Sequence, residues 1–258
     1  MTSTKTIVVF GLGAPSWGSP TPLGRGVGGY CCLHAARKGW KVRAVARNPA
    51  KYAPCFENVE NHSLIEIVKG DGCNRDSVRE LIKGCEACVF AIQAADGQSS
   101  YDVDCNALAM MAEECQKENV KLIAISSAWT SPKRRWNLAR MFANTFLKWN
   151  MMDAKWAGEE RVRKIGNVLR YTIIRPGGLS DAVSPGRAIT VGQFDNMSVW
   201  SAGLYITKDD VAAVCIEATA NPASDQVSID LAGPTKANTG KFDVTGMFEK
   251  MQKDPFVL

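Results

Sequence analysis

The strongest constraint on the fold is a rhythm: short, unbroken apolar runs alternate with helix-patterned stretches along nearly the whole chain. The runs predict strands at Thr6–Phe10, Val42–Ala46, Leu64–Val68, Ala87–Ile92, Leu122–Ser126, Tyr171–Arg175 and Val227–Leu231. They are continuous instead of alternating, as strands covered by helices on both faces must be. Helical spacing appears around 28–38, 75–83, 103–118, 137–165, 208–220 and 244–252, with Thr207 placed to cap the fifth of these. Strand–helix alternation of this kind specifies βαβ units. The expected architecture is therefore a single-domain α/β chain, a Rossmann-type doubly wound parallel sheet of seven strands.

Composition narrows the class. The 258 residues are 46% hydrophobic and 22% charged, ordinary for a chain that buries a core. No run reaches the roughly 18 apolar residues of a membrane span, and the first apolar run is too short for a signal peptide. A net charge of +5 suits anionic small molecules and gives no basis for nucleic-acid binding. The nine cysteines form one C-x-x-C, Cys85 and Cys88, with no second pair and only two histidines, His34 and His62. They read as small buried hydrophobes in a reducing compartment, cytoplasm or organelle stroma or matrix, and no metal site is expected.

The chemistry starts at the end of the first strand. Gly11 closes it, and Gly24, Arg25, Gly26, Val27 and Gly28 lead into the first helix. Glycines between a strand and a helix N-terminus let backbone amides approach a pyrophosphate without a Cβ in the way. The spacing is abnormal, because Gly11 and Gly28 are 17 apart where the fingerprint spans about six. Either roughly ten residues are inserted, the Pro/Ser/Gly-rich Ala14–Leu23, or Gly11 and Gly13 make the turn with Ser16 in third place. After the second strand stand Arg43 and Arg47, with no acid to hold a ribose 2′-hydroxyl. A guanidinium matches a 2′-phosphate, so NADP(H) is expected over NAD(H). Asp71, closing the third strand, is placed to accept from the adenine amino group.

Two further segments matter. Residues 129–150 are basic and aromatic, and Leu138, Met141, Phe142, Thr145, Phe146 and Trp149 fall on one helical face. That stripe reads as core or a packed lid, with a wall of the substrate pocket as the sharper reading; a membrane-surface role would need more basic residues on the opposite face. Glu159-Glu160 and Asp209-Asp210 read as solvated pairs or dipole partners. No G-x-S-x-G elbow accompanies Ser127, which argues against a hydrolase.

VRAVARNPAK, VKGDGCNRDSVRELIKGCEACVF, YTIIRPGGLSD and ITKDDVAAVCIEA resemble the atypical short-chain dehydrogenase/reductases, most closely the NmrA-like and biliverdin-reductase-B-like NAD(P)H-binding group. The resemblance runs from Ile7 to about Gly233. It implies NADP(H) along the carboxyl edge of the sheet and a small C-terminal portion shaping a substrate pocket, with 129–150 and 179–206 as lid segments. It implies that Gly11 and Gly24–Gly29 form the phosphate loop, Arg47 the 2′-phosphate ligand and Asp71 the adenine contact. Ala91 to Gln93 would pass the adenosine ribose, Pro176 and Gly177 the nicotinamide. Ser127 takes the place of the active-site serine and Lys155 that of the ribose-binding lysine. Where related enzymes carry a proton-donating tyrosine, this chain has Met151, four residues before Lys155. The implied activity is NADPH-dependent reduction of a flavin, quinone or similar conjugated acceptor. The alternative is a non-catalytic NADP(H)-binding redox sensor or structural subunit with a protein partner.

Overall fold

A computed structural model describes residues 5–13, 26–95, 97–134, 136–142, 144–145, 149–165, 168–197, 205–236 and 238–255. The strands are β1 (Thr6–Phe10), β2 (Lys41–Ala46), β3 (Ile65–Lys69), β4 (Ala87–Phe90), β5 (Lys121–Ile125), β6 (Tyr171–Pro176), β7 (Gly178–Ser180), β8 (Thr190–Gly192), β9 (Tyr205–Thr207) and β10 (Val227–Ala232). Eight of them form one sheet in the order β3-β2-β1-β4-β5-β6-β10-β8. The first seven in that order are parallel, and β8 adds an antiparallel edge against β10. All seven expected strands are present, and β8 is the addition. A separate parallel pair, β7 with β9, lies beside the sheet's C-terminal half.

The continuous apolar runs have the expected cause. Along β1, Ile7 and Val9 pack with α1 (Val27–Arg37), while Val8 and Phe10 pack on the opposite face. That second face is covered by α3 (Arg75–Ile82), α4 (Leu108–Lys117) and α6 (Met151–Lys164); a short α2 (Ala53–Phe56) joins the first face. A π-helical stretch, Tyr101–Ala107, runs directly into α4. The last helix, α7 (Lys208–Ala220), matches its expected bounds, and Thr207 Oγ1 accepts from Asp210 N at 3.0 Å to cap it.

Two expected helices are corrected. The stretch 137–165 is not continuous: α5 (Leu138–Phe142) is short, and Asn150, at φ +55°, stands in the left-handed region before α6. Asn144 favours the break, its Oδ1 accepting from Met152 N at 2.7 Å and its Nδ2 donating to Asp153 at 2.6 Å. Residues 244–252 form turns, because Gly246 at φ +67° ends any helix there; Phe248 still anchors the segment in the core.

The nine cysteines are free thiols, and all but Cys73 are buried. Burial pushes the Cys31, Cys32 and Cys88 thiols up, which keeps them protonated and inert. No helix of the described residues is long and apolar enough to cross a membrane.

Candidate dinucleotide site at the carboxyl edge of the sheet

The glycines converge. Gly11 leaves β1 at φ +94° and Gly13 follows at φ +91°, conformations that L side chains rarely adopt. Residues 14–25, including Gly24, Arg25 and Ser16, lie outside the described residues. The described chain resumes beside the point where it broke off: Gly26 N donates to Leu12 O at 3.2 Å, and a Cβ on Gly26 would strike the Gly13 backbone. A Cβ on Gly28 would run into the Gly11 carbonyl oxygen. Read across the excursion, Gly11-Leu12-Gly13-Gly26-Val27-Gly28 reproduces G-x-G-x-x-G in space. Gly28 thus stands against Gly11 where the third glycine of that spacing would. α1 begins at Val27 with no acid in its first turn and no side-chain cap on Gly26, while Gly29 N donates to Gly26 O at 3.1 Å.

The neighbouring strand ends complete the crevice where the strand order reverses between β1 and β4. Ala91 N donates to Phe10 O at 2.8 Å, and the Ala91 carbonyl occupies the space a Gly11 side chain would need. Arg47, just past β2, is exposed and has no ion pair among the described residues; its charge is felt at Tyr52 and Cys73. Arg43 is committed elsewhere, donating to Leu81 O at 2.9 Å and Lys83 O at 2.7 Å at the end of α3. Of the two arginines, then, only Arg47 is available to an anion. Asp71 is half-buried and tied into its own turn, its Oδ1 accepting from Cys73 N at 2.9 Å.

Past the end of β5, Ser127 continues the ladder. It is half-buried between Ser126, whose N donates to Ile174 O at 2.8 Å, and Ala128, whose N donates to Pro176 O at 2.8 Å. Gly177 N donates to Leu231 O at 2.8 Å, so Ser127, Pro176 and Gly177 share the carboxyl edge. Met151 opens α6, buried, and Gln93 Nε2 donates to its sulfur at 3.4 Å. Lys155, which the resemblance sets at the ribose, is engaged within the fold. It is buried, and its Nζ lies 2.6 Å from Oδ1 of the buried Asp104 in the π-helical stretch. The close fit of Gly158 on Asp104 O draws α6 down onto that partner. The other Asp104 oxygen, Oδ2, has no hydrogen-bond partner among the described residues.

A family of NAD(P)H-binding proteins matches the chain over residues 24–222. The chain belongs to that NAD(P)H-binding family. No curated protein matches it. Among solved structures it is similar to an oxidoreductase from Lactococcus lactis, at 20% identity and TM-score 0.70, covering 95% of each chain. It is also similar to an anaerobillin reductase from Escherichia coli O157:H7, at 21% identity and TM-score 0.65, covering 89% of this chain and 98% of that one. A short-chain dehydrogenase/reductase from Veillonella parvula, solved in complex with NADP, aligns at 15% identity and TM-score 0.62 over 92% and 99% of the two chains. At these identities the likeness speaks for the fold. The family match bears out the NAD(P)H-binding part of the resemblance.

Beneath the β5 and β6 ends of this NAD(P)H-binding protein lies a buried ionic network that the sequence reading missed. Glu159, expected on a solvated face, is 0% exposed. Its Oε2 accepts from Arg163 Nη2 and Arg175 Nε, each at 2.9 Å, and also from Arg175 Nη2. Its Oε1 accepts from Ser126 Oγ at 2.5 Å and Thr130 Oγ1 at 3.2 Å. Burial alone would raise this carboxyl, but Arg175 and Arg163 outweigh burial and hold it below the usual range. Arg163 reaches on to Asp254 at 3.3 Å, and Arg175 faces Asp230 at 3.7 Å. Asp230 Oδ2 accepts from Asp195 N at 2.8 Å, while the Asp195 carboxylate accepts from Trp129 N at 2.5 Å and Ser131 N at 2.8 Å. Burial raises Asp195 and pushes Asp230 up to about 6. The network thus grips the loop after Ser127 from below and holds Trp129 at φ +63°. The signal was present in outline: Glu159 and Arg163 stand at i and i+4, and Arg175 and Asp230 interrupt apolar strands that bury both faces. The other acidic pair divides. Asp209 bonds His34 at 2.8 Å, and Asp210 is buried, accepting from Ser184 Oγ at 2.6 Å.

Proposed function

We propose that this protein is an NADPH-dependent reductase of a flavin, quinone or similar conjugated acceptor, working without a tyrosine proton donor. The observation that carries the reading is the state of α6. Its tyrosine position holds Met151, whose thioether has no transferable proton, and the lysine that would tune such a tyrosine is ion-paired with Asp104. An acceptor that spreads negative charge by conjugation needs no positioned acid, since water can protonate it after reduction. Bound NADPH supplies the hydride. The chain's own groups bind and orient: the amides of Val27 and Gly28 at the pyrophosphate, Arg47 at the 2′-phosphate, Asp71 at the adenine, and Ala91 and Gln93 beside the adenosine ribose. Pro176 and Gly177 flank the nicotinamide, and Ser127 orients nicotinamide or acceptor. With no acid near Arg47 at the end of β2, the reading favours NADP(H) over NAD(H). Residues 129–150 and 179–206 would bound the acceptor side. Because one structure similar in fold is an anaerobillin reductase, bilins belong in the acceptor panel.

Met151 and the engaged Lys155 equally suit a second reading, a non-catalytic NADP(H)-binding sensor or structural subunit. One experiment separates them. NADP(H) binding is measured by calorimetry, and loss of NADPH absorbance is followed with flavins, quinones and bilins. Oxidation with any member of the panel supports the reductase; tight binding with no oxidation sinks it in favour of the sensor. No binding of either nucleotide refutes both.

A further inference from the structure

From Lys121 to Ser131 every residue is buried except Ser127. Its neighbours are tied down on both sides. Ser126 N donates to Ile174 O and Ala128 N to Pro176 O, while Ser126 Oγ and Thr130 Oγ1 donate to Glu159. The Ser127 hydroxyl has no hydrogen-bond partner among the described residues. Just beyond it, one carboxylate takes two amides: Asp195 accepts from Trp129 N through Oδ1 and from Ser131 N through Oδ2. The Trp129 indole adds a third tie to the same turn, its Nε1 donating to Met197 O at 3.2 Å. The turn is itself braced. Asp195 N donates to Asp230 Oδ2, and the Gln193 side chain donates to Gln252 O and accepts from Gln252 N, each at 2.9 Å. Three residues other than glycine meet here in the left-handed region, Trp129 at φ +63° and Phe194 and Asp195 at +59°. Side chains as bulky as tryptophan and phenylalanine keep that conformation only where the surroundings enforce it, and such strain gathers at working sites.

We propose that Asp195 is a positioning residue: by clamping the Trp129 and Ser131 amides it fixes the chain beyond β5 so that Ser127 alone presents its hydroxyl to the carboxyl edge. The inference deepens the proposed function and rests on its placement of Ser127 beside nicotinamide or acceptor. It also gives β8 a task. That antiparallel edge strand ends at Gly192, opposite Asp230, and so delivers the 193–197 turn to the loop. An ionised carboxylate only accepts, so it serves both amides at once. An asparagine in its place accepts from one amide and must turn its own NH2 on the other.

The test is a double-mutant cycle between Asp195→Asn and Ser127→Ala, read as turnover with the acceptor panel. Asp195→Asn should lower kcat by about 10- to 100-fold and change the NADPH KM by less than about threefold, because on the same reading Gly28 and Arg47 hold the phosphates. Ser127→Ala should lose as much, and the double variant no more than either single one. Losses that multiply, or wild-type turnover in Asp195→Asn, would overturn the proposal. Tyr171→Phe removes a buried hydrogen bond to Asp254 elsewhere in the network and should leave turnover within about twofold. A loss there equal to that of Asp195→Asn would mark a general effect of destabilisation and overturn it too. Amide hydrogen exchange reports the clamp without catalysis: Trp129 and Ser131 should exchange at least about tenfold faster in Asp195→Asn, with α1 unchanged. Unchanged exchange at both amides overturns the proposal. If no acceptor oxidises NADPH, the reductase reading fails, and the cycle is read on the dissociation constant of NADP(H). Equal, non-additive losses then support the positioning role, and additive or absent losses overturn it.

Discussion

Glu159 and Glu160 are adjacent, and both bond Arg163, yet the structure predicts that removing them has very different consequences. Glu159→Ala leaves Arg175 and much of Arg163 buried without their shared counter-ion, and strips Ser126 Oγ and Thr130 Oγ1 of an acceptor. Breaking a buried pair from one side costs about 3–5 kcal/mol. That is a large share of the roughly 5–15 kcal/mol that holds a domain together. At about 2–4 °C per kcal/mol for a chain of this size, the melting temperature should fall by about 6–20 °C. Glu160→Ala removes a half-buried partner 2.8 Å from Arg163 Nη1, a contact of about 0–1 kcal/mol, and should move it by less than about 4 °C. The assay is calorimetric or circular-dichroism melting at neutral pH. Because the Glu159 carboxyl is held below its unfolded value, its contribution is complete above about pH 4.3 and is lost as pH falls through the folded pKa. The gap between the two variants should therefore close in acid. Equal melting temperatures at pH 7 would refute the argument that burial decides the value of this pair.

The remaining predictions are shorter. Asp230, pushed up to about 6 by burial, binds its proton more tightly in the folded state, so it is expected to erode stability as pH rises from about 4 through 6. The loss is on the order of 3 kcal/mol, and Asp230→Asn should flatten that part of the stability profile; matching profiles would exclude it. Arg47→Glu should weaken NADP binding by about 10- to 100-fold while leaving NAD affinity nearly unchanged, as measured by calorimetry. A parallel loss for both nucleotides would show that Arg47 does not read the 2′-phosphate. Gly28→Val drives a side chain into the Gly11 carbonyl, so dinucleotide binding should be lost; wild-type affinity and melting would contradict the spatial fingerprint. Lys155→Met should destabilise by about 3–5 kcal/mol by stranding Asp104, and Asp104→Asn added to it should restore most of that loss in urea unfolding.

Sequence pattern alone determined the seven parallel strands, because a strand buried on both faces must be apolar throughout, and it determined α7 through the Thr207 cap. It located the glycine turn but left its third member open, since distance along the chain cannot show that an excursion leaves and returns to one point. Contacts across the fold decided that Gly28 meets Gly11, that Arg43 serves α3 while Arg47 stays available, and that Lys155 is bound to Asp104. They also decided that Glu159 is core and that Trp136 and Trp149 are surface. Spacing along a helix shows which residues share a face; which face is covered depends on what the rest of the chain brings against it.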